Sequence, residues 1–470
     1  MIGGGPAGLA AAAMAAGHGL QTVLVDERPT LGGQIYRQPG PGFVVNNAGK
    51  LGHDLARGLD LVRSAGEAGA ELSTGTTVVS LRGTSVAMFG QGPGATATTV
   101  QARRVLVAPG AYDRPVAFPG WTLPGVVTAG GAQALVKASR VVPGDRVAFA
   151  GSGPLALAFP AQLRHYGVNV VLALEAGPAP TPRSVLGLLS AAPGNFSLLR
   201  DGAAYRAQLL RSGVPLRYGR VVVRADGEDR VEEMAHAAVD GDWRVVPGTE
   251  ERTAVDTICI GYGFATSTEL LRLAGCRFGY DEDLGGAVVE VDEWQRTSVP
   301  GVLAAGDGTG VRGGPVAIDQ GRLAALGAAA DLGALSPGQA ATLARPLRRR
   351  LAAKERFRLA LRPLYAVGPG VYELATAGTV VCRCEEVTLA RLEEAAAATA
   401  DANVAKSYTR AGMGLCQGRN CHRQVAAVLA RHSGLPIPEV AAMTARPPAR
   451  PVPIRVLVDD TVPDDGLFVR

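Results

Sequence analysis

The stretch that decides the fold opens the chain, where residues 1 to 34 read MIGGGPAGLAAAAMAAGHGLQTVLVDERPTLGGQ. Gly3, Gly5 and Gly8 form a G-x-G-x-x-G pattern, followed by an alanine-rich helical segment and a strand pattern. The glycines allow a tight turn, a close backbone approach to a pyrophosphate and close packing of helix on sheet. Glu27 stands where an acid binds the ribose hydroxyls. The stretch therefore predicts a Rossmann-like nucleotide-binding unit.

The strand that should precede this pattern is nearly missing. Only Met1 and Ile2 come before Gly3, whereas the pattern ordinarily follows a full hydrophobic strand. We therefore expect a central strand that is almost absent, and an N-terminus that is truncated or whose start is misassigned. A genuine start at Met1 predicts weakened nucleotide binding in this domain.

A second copy of the unit lies at residues 145 to 175, DRVAFAGSGPLALAFPAQLRHYGVNVVLALE. Gly151, Gly153 and Ala156 occupy the fingerprint positions, and the preceding strand is intact. Glu175 would repel a 2′-phosphate, which favours NAD over NADP. Two interpretations stay open: a domain that binds NAD, and a domain that only packs against its neighbour.

The segment TSVPGVLAAGDGTGVRGG, residues 297 to 314, is the most specific of the remaining patterns. Its apolar strand ends in Gly306 and Asp307, which predicts a carboxylate at the C-terminal end of a strand. There the carboxylate can accept hydrogen bonds from ribityl hydroxyls, and the glycine leaves room for an isoalloxazine. We expect the helix that follows, from about Pro315, to direct its N-terminus at the ring.

The cysteines are too few for a disulfide framework, since the 470 residues hold only six. Their clustering favours reduced thiols that bind a common group, and hence a cytoplasmic protein. Cys259 and Cys276 are predicted to be buried core residues. The other four lie close together near the C-terminus: Cys382, Cys384, Cys416 and Cys421.

These four cysteines, spaced C-x-C and C-x4-C, suit a [2Fe-2S] cluster with two thiolates for each iron. We expect a loop between Cys382 and Cys384, and we expect Cys416 and Cys421 to begin the helix that continues as HRQVAAVLARH. Structural zinc is the competing interpretation, although C-x2-C spacing is more usual for it.

The order of these motifs resembles the flavoproteins with two dinucleotide-binding domains, such as glutathione reductase and thioredoxin reductase, over roughly residues 1 to 340. Those reductases carry a cysteine pair against the flavin, whereas this chain has no cysteine before Cys259. Disulfide reduction is therefore not expected. The resemblance implies that FAD is contacted by Gly3, Gly5, Pro6, Ala7, Gly8, Glu27, Gly33, Gln34, Gly306 and Asp307.

The cysteine segment resembles the [2Fe-2S] domain of bacterioferritin-associated ferredoxin, as fused to dehydrogenase subunits. GMGLCQGRNC at 412 to 421 and GGQIYR at 32 to 37 are most similar to the alpha or B subunits of opine oxidase, hydrogen cyanide synthase and proline or hydroxyproline dehydrogenase complexes. This resemblance implies a chain that relays electrons from a second, amino-acid-oxidising flavoprotein subunit to an acceptor. A small ferredoxin-like subunit is a further possible partner. No catalytic residue is identified.

The predicted fold class is α/β, with two Rossmann-like domains in a glutathione reductase-like arrangement and a small helical [2Fe-2S] domain. FAD and a [2Fe-2S] cluster are the expected cofactors, and NAD is a third under the interpretation in which the second domain binds it. The predicted parts are an FAD domain at 1–135 and 280–340, an NAD-type domain at 136–279, a basic helical linker at 341–371, the cysteine domain at 372–435 and an extended Pro-rich tail at 436–470.

Composition fits a protein of several globular domains, with 47% hydrophobic and 19% charged residues. We expect neither a membrane span nor a nucleic-acid partner, and the basic run at 345–362 is interpreted as a solvated helix face. Two alternatives to the relay remain. One is a self-contained NAD(P)H oxidoreductase that passes electrons to a ferredoxin or an oxygenase, and the other is an assembly scaffold with degenerate sites.

Overall fold

The structure, a computed structural model, describes residues 1–45, 53–92, 96–440 and 442–457. The elements are given below in four parts of the chain, in sequence order. The first part contains α1 (Pro6–Gly17), β1 (Val23–Val25), α2 (His53–Glu67), β2 (Glu71–Ser73), β3 (Thr76–Arg82), β4 (Ser85–Gly90), β5 (Ala97–Gln101), β6 (Val105–Val107) and β7 (Ala111–Asp113). The second contains β8 (Val126–Thr128), α3 (Ala129–Ala134), β9 (Val147–Gly151), α4 (Leu155–His165), β10 (Val170–Glu175), α5 (Pro182–Ser190), α6 (Phe196–Arg211), β11 (Leu216–Tyr218), β12 (Arg220–Asp226), β13 (Glu233–Ala238), β14 (Glu251–Ala254) and β15 (Thr257–Gly261). The third contains β16 (Phe264–Thr266), α7 (Glu269–Leu273), β17 (Phe278–Asp281), β18 (Gly286–Val289), β19 (Val302–Ala304), α8 (Gly314–Asp331) and α9 (Pro337–Tyr365). The last contains β20 (Val380–Cys382), β21 (Val387–Thr388), α10 (Leu389–Ala398), α11 (Ala402–Thr409), α12 (His422–Ser433) and α13 (Ile454–Leu457).

The central strand of the first domain is reduced to Ile2, which confirms the sequence expectation. Ile2 forms parallel bridges to Val25 of β1 and to Val107 of β6. It joins two short parallel pairs, β1 with β2 and β19 with β6, which would otherwise be separate. Its side chain is 7% exposed. One buried residue therefore takes the place of a whole strand.

Helix α1 packs tightly on both sides because small residues face its neighbours. A Cβ added to Gly8 would lie 1.9 Å from the carbonyl oxygen of Gly3, so only glycine fits there. On the other side, a Cβ added to Gly321 of α8 would lie 2.0 Å from the carbonyl oxygen of Ala7. The first fingerprint turn is thus held between the sheet and α8.

The second domain is a five-stranded parallel sheet in the order β11, β10, β9, β15, β8. Its limits differ from the sequence prediction of 136–279. Strand β8 pairs with β15, so residues from about 126 already belong to the second sheet. Strand β16 pairs with β7 of the first domain, so the chain has returned by Phe264. Strands β7, β8 and β16 are only three residues long, and their pairing is not readable from a local pattern.

The basic run lies on α9, and much of its charge is neutralised by carboxylates of the same chain. Arg350 and Lys354 both bind Asp319 of α8, at 2.8 and 2.7 Å, and the Asp319 side chain is only 4% exposed. Farther along α9, Arg362 pairs with Asp283 at 2.6 Å. The helix is thereby fixed across the first domain. In the described ranges, no helix combines the length and hydropathy that a membrane crossing requires.

The cysteine domain has a core of its own, in which Leu392, Val425 and Leu429 are buried. Beyond it, Ile437–Glu439 form a short 3-10 turn, and the tail forms the single helical turn α13 after Pro453. The predicted extended tail is therefore only partly correct for the described residues, and its end at 458–470 lies outside them. The turn α13 begins directly after Pro453, where the restriction that this proline places on a helix ends. Val456 in this turn packs on β3 to β5 of the same chain.

A buried cluster of charges joins the cysteine domain to the first domain. Glu282 pairs with Arg114 at 2.9 Å and with Arg423 of α12 at 2.5 Å. Arg423 also donates to the Tyr372 hydroxyl and to the Gly285 carbonyl oxygen. Burial alone would raise the pKa of Glu282, but the two guanidinium charges outweigh burial and hold that pKa below its usual range.

We predict that Glu282→Gln lowers the free energy of unfolding by about 3 kcal/mol, because it leaves two arginines at least nine-tenths buried without their counter-charge. Chemical denaturation followed by circular dichroism measures this loss. Glu290→Gln is the matched control, because its pair with Arg277 is exposed on both sides and is expected to contribute less than about 1 kcal/mol. Equal losses in the two variants would contradict the proposed role of Glu282.

Candidate functional site

A cavity of about 2710 Å³ is lined by residues of both nucleotide-binding domains. It brings together the residues that the sequence assigned to the first nucleotide site, apart from Gly8, which packs behind the turn. Those lining the cavity are Gly3, Gly5, Pro6, Ala7, Glu27, Gly33, Gln34, Gly306 and Asp307. Gly306 and Asp307, which follow β19, thus line the same cavity as the first fingerprint, although the two segments are far apart in the sequence.

The N-terminus of α1 opens into this cavity without a side-chain cap. Gly5 is the N-cap, and the first turn of α1 holds no acidic residue. Gly33 closes one side of the turn, because a Cβ at Gly33 would lie 2.8 Å from the Gly5 Cα. The uncapped amides and the helix dipole suit an anionic group such as a pyrophosphate.

Two neighbouring acids follow β1 and take different positions. Asp26 accepts hydrogen bonds from the amides of Gly4 at 2.6 Å and Arg28 at 2.8 Å, so it braces the fingerprint turn. Glu27, the predicted ribose ligand, lines the cavity and pairs with Arg450 of the tail at 3.2 Å. The tail therefore reaches the predicted ribose position, which the sequence did not indicate.

Two further cations that sequence reasoning missed, Arg28 and Arg37, also line the cavity. Burial, followed by the charge of Arg28, lowers the pKa of Arg37 to about 10. Neither arginine has a salt-bridge partner in the described part of the chain. Their proximity to the uncapped α1 adds positive charge where an anion would bind. The pattern GGQIYR contained Arg37, but nothing in its spacing marked this role.

Backbone amides hold the carboxylate of Asp307 beside the N-terminus of α8. Its Oδ1 accepts hydrogen bonds from the amides of Arg312 and Gly313, both at 2.9 Å. Among the described residues, no donor contacts its Oδ2. Burial raises the pKa of Asp307, and the two amides oppose this rise. α8 begins at Gly314, also without a side-chain cap, close to the predicted start at about Pro315.

The second fingerprint is only partly open to the same cavity. Of its four predicted residues, Gly153 lines the cavity, whereas Gly151, Ala156 and Glu175 do not. The Glu175 side chain is 1% exposed, and its two oxygens accept hydrogen bonds from the amides of Gly153 and Gly177. The predicted turn is thus present, but the carboxyl group of Glu175 beside it is buried.

The four C-terminal cysteines come together as two pairs. The Cys421 thiol donates a hydrogen bond to Cys382, and Cys384 lies within hydrogen-bonding reach of Cys416. As predicted, the chain turns after β20 between Cys382 and Cys384, and Cys421 is the N-cap of α12. Cys416, which was also expected to begin this helix, lies in a turn before it. A Cβ at Gly414 would lie 2.2 Å from the Cβ of Cys384, so glycine is required for this approach.

Backbone amides surround the sulfur of Cys382. The hydrogen bond from Cys421 and amide donors from Gly412, Glu385 and Cys384 lower the pKa of Cys382 to about 5 despite its burial. The same hydrogen bond and burial raise the pKa of Cys421. Across the described ranges, however, no three metal-ligating side chains converge closely enough to hold a metal ion.

The loop between Cys416 and Cys421 touches the cavity. Arg419 lines the cavity, pairs with Glu269 at 2.9 Å and donates to the Ala449 carbonyl oxygen of the tail at 2.9 Å. Beside this loop, the ring of His422 packs edge-on against Tyr112, with the ring centroids 6.4 Å apart. The thiols and the cavity are therefore neighbours.

Comparison with known proteins identifies the class to which this fold belongs. The pyridine nucleotide-disulphide oxidoreductase family matches residues 1–321, and the sarcosine oxidase A3 domain matches residues 378–460. The chain belongs to the pyridine nucleotide-disulphide oxidoreductase family and is an FAD-dependent oxidoreductase. The second match covers the cysteine domain together with most of the tail, which the sequence prediction had separated at residue 436.

Individual relatives are similar over nearly the full length. The hydrogen cyanide synthase protein HcnB of Pseudomonas aeruginosa is 35% identical over 96% of each chain. An opine oxidase subunit of Rhizobium meliloti strain 1021 is 33% identical over 98% of each chain. The L-proline dehydrogenase structure from P. horikoshii covers 97% of this chain and 78% of its own, with a TM-score of 0.68 and 20% identity, which shows a shared fold.

We predict that Asp307→Ala weakens FAD binding by about 10- to 100-fold, the effect of losing one charge-assisted hydrogen bond, whereas Glu175→Ala leaves it within about threefold. The physical reason is that Asp307 lines the cavity and Glu175 does not. Fluorescence titration of flavin-free protein with FAD measures both constants. Equal weakening in the two variants would show that the nucleotide sites are assigned wrongly.

Proposed function

We propose that this chain is the electron-transfer subunit of a heteromeric amine or amino-acid dehydrogenase, of the kind that oxidises an opine, proline, hydroxyproline or glycine. It would accept electrons from a partner flavoprotein and pass them to an external acceptor. The observation that carries the proposal is the position of Arg419, which links the cysteine loop to the wall of the nucleotide cavity. The similarity to HcnB and to the opine oxidase subunit supports it.

FAD fits the first nucleotide site on the chemistry of its walls. The uncapped α1, with Arg28 and Arg37 nearby, would hold the pyrophosphate, Glu27 would hold the ribose and Asp307 would hold the ribityl chain. Gly5 has no neighbour closer than 3.7 Å to its added Cβ, so the surface above it is open to a ligand. When bound, FAD supplies an acceptor of two electrons that can release them singly.

A [2Fe-2S] cluster is the group that we propose for Cys382, Cys384, Cys416 and Cys421. Four thiols in two pairs, with amide donors around Cys382, have the ligand chemistry that such a cluster needs, and the cluster supplies a one-electron carrier. Arg423, two residues after Cys421, anchors this domain through Glu282 to the domain that carries Asp307. The ion pair would thus fix the cysteines relative to the flavin site.

The alternative is a self-contained NAD(P)H oxidoreductase, and one observation favours it. Gly153 of the second fingerprint lines the same cavity as Asp307, and apart from its chain neighbours no atom of the described residues lies within 4 Å of its added Cβ. A nucleotide phosphate could therefore approach this turn. Bleaching of the flavin by NADH in the isolated chain would support the alternative over the relay.

We predict that anaerobically purified protein contains about two iron and two sulfide ions per chain, the content of one [2Fe-2S] cluster. Metal analysis and an acid-labile sulfide assay measure this content. Cys416→Ser should lower both values, whereas Cys259→Ser, at a fully buried strand position far from the other thiols in sequence, should change neither. Stoichiometric zinc without sulfide would instead identify a structural zinc site.

We predict that the isolated chain oxidises no amino or imino acid and gains this activity only with a second flavoprotein subunit. The reason is that the proposed sites of this chain hold electron carriers and include no identified substrate-binding group. Steady-state assays with proline, hydroxyproline, glycine and an opine measure the activity. Turnover of any of them by the single chain would place the chemistry in this subunit.

In the assembled complex, Cys416→Ser is expected to abolish reduction of the external acceptor while the partner's flavin is still bleached by substrate at its normal rate. This split follows if the thiols lie after the substrate-oxidising step. Rapid-mixing absorbance spectra measure the bleaching, and acceptor reduction is followed in the same preparation. Loss of both rates in the variant would contradict the relay.

A further inference from the structure

The acid of the second fingerprint is already used by the protein backbone. Glu175 ends β10, and its Oε2 accepts a hydrogen bond from the Gly153 amide at 3.1 Å while its Oε1 accepts one from the Gly177 amide at 2.8 Å. Burial raises the pKa of Glu175 to about 7. With 1% of the residue exposed, ribose hydroxyls have no access to this carboxyl group.

The first fingerprint shows what the second lacks. There Asp26 performs the bracing role, and the next residue, Glu27, is left to line the cavity. In the second unit Glu175 braces the turn, but Ala176 and Gly177 follow it, so no second acid is available. Because the adenosine ribose binds beside the acid in Rossmann-like domains, the second unit lacks a free acid at the usual position for that contact.

The C-terminal turn of α9 covers the same position. A Cβ added to Gly177 would lie 2.2 Å from the carbonyl oxygen of Leu364, so the helix end rests directly on the loop after β10. Tyr365 is close enough to Glu175 and Tyr218 that both add to the rise in its pKa, of which burial is the main cause. Leu364 itself is 5% exposed.

Toward its N-terminus from Leu364, α9 is fixed to the second domain by a hydrogen bond. Asn195, which is 1% exposed, donates from Nδ2 to the Ala353 carbonyl oxygen at 2.8 Å. On the other side, Arg350 and Lys354 hold α9 to Asp319 of the first domain. In the last turn of α9 itself, Arg362 pairs with Asp283 of the first domain at 2.6 Å, so the end of the helix is held as well.

We propose that Leu364 and Tyr365 occupy the adenosine half of the second nucleotide site, so that this domain binds no pyridine nucleotide. The phosphate turn at Gly153 stays open to the cavity, and Leu364 and Tyr365 form part of the cavity wall. The inference goes beyond the proposed function and does not rest on it, because it concerns the second domain alone. Its consequence is that the second domain does not deliver electrons to this chain from a bound NAD(P)H.

Equilibrium dialysis of the flavin-loaded full chain against NADH and against ADP-ribose tests the proposal. The wild type is expected to retain neither up to about 1 mM, the upper end of ordinary KM values. Tyr365→Ala should create saturable ADP-ribose binding at least about tenfold tighter than that limit. Tyr205→Ala is the matched control, since it removes a tyrosine that lines the cavity on α6, and it should create none.

Saturable binding of NADH or ADP-ribose to the wild type would overturn the proposal, and so would a Tyr365→Ala variant that is folded but still binds nothing. Binding that added FAD displaces belongs to the first site and is counted separately, so a failure of the flavin assignment is distinguishable. If Tyr365→Ala loses cooperative unfolding, Tyr365→Val, which keeps an apolar side chain against the loop, repeats the test with the same two outcomes.

Discussion

The arrangement of the site depends on one carboxylate, that of Glu282, which lies between Arg114 and Arg423. Arg114 follows β7, Glu282 follows β17 and Arg423 belongs to α12, so the cluster joins segments that are far apart in the sequence. A buried pair of this kind adds little to stability over a packed apolar contact, but it tolerates few alternative geometries. Because Arg423 lies two residues from Cys421, the same pair fixes where the thiols stand.

The first fingerprint was predictable because its constraints are local. Gly8 must be glycine to pass the Gly3 carbonyl oxygen, and Gly5 must be small to leave the helix end open. Such requirements act between residues that are near one another in the sequence and leave a readable pattern. The C-x-C turn and the capping position of Cys421 followed from spacing in the same way.

The remaining features arise from contacts between distant parts of the chain. Nothing near Glu27 announces that Arg450 will pair with it, because 423 residues separate them. The covering of the second fingerprint by α9 is equally unreadable from the sequence. The pattern GSGPLA and the acid that follows it are intact, yet Leu364 of α9 packs against Gly177. A local motif predicts the turn that it forms, but it does not predict which distant segment packs over that turn. Domain limits failed for the same reason, since β8 is three residues long and is recognised only by pairing with β15.

The two nucleotide-binding units therefore differ in what surrounds them more than in their own sequences. In the first, the brace and the outward-facing acid are separate residues, Asp26 and Glu27, and the tail places Arg450 beside the second of them. Arg419 of the cysteine loop binds the backbone of that same tail at Ala449. The cysteine loop, the tail and the first nucleotide site thus form one connected set of contacts around the cavity, whereas the acid of the second unit, Glu175, is buried away from it. This asymmetry explains how a chain with two similar fingerprints can direct only one of them toward its thiols.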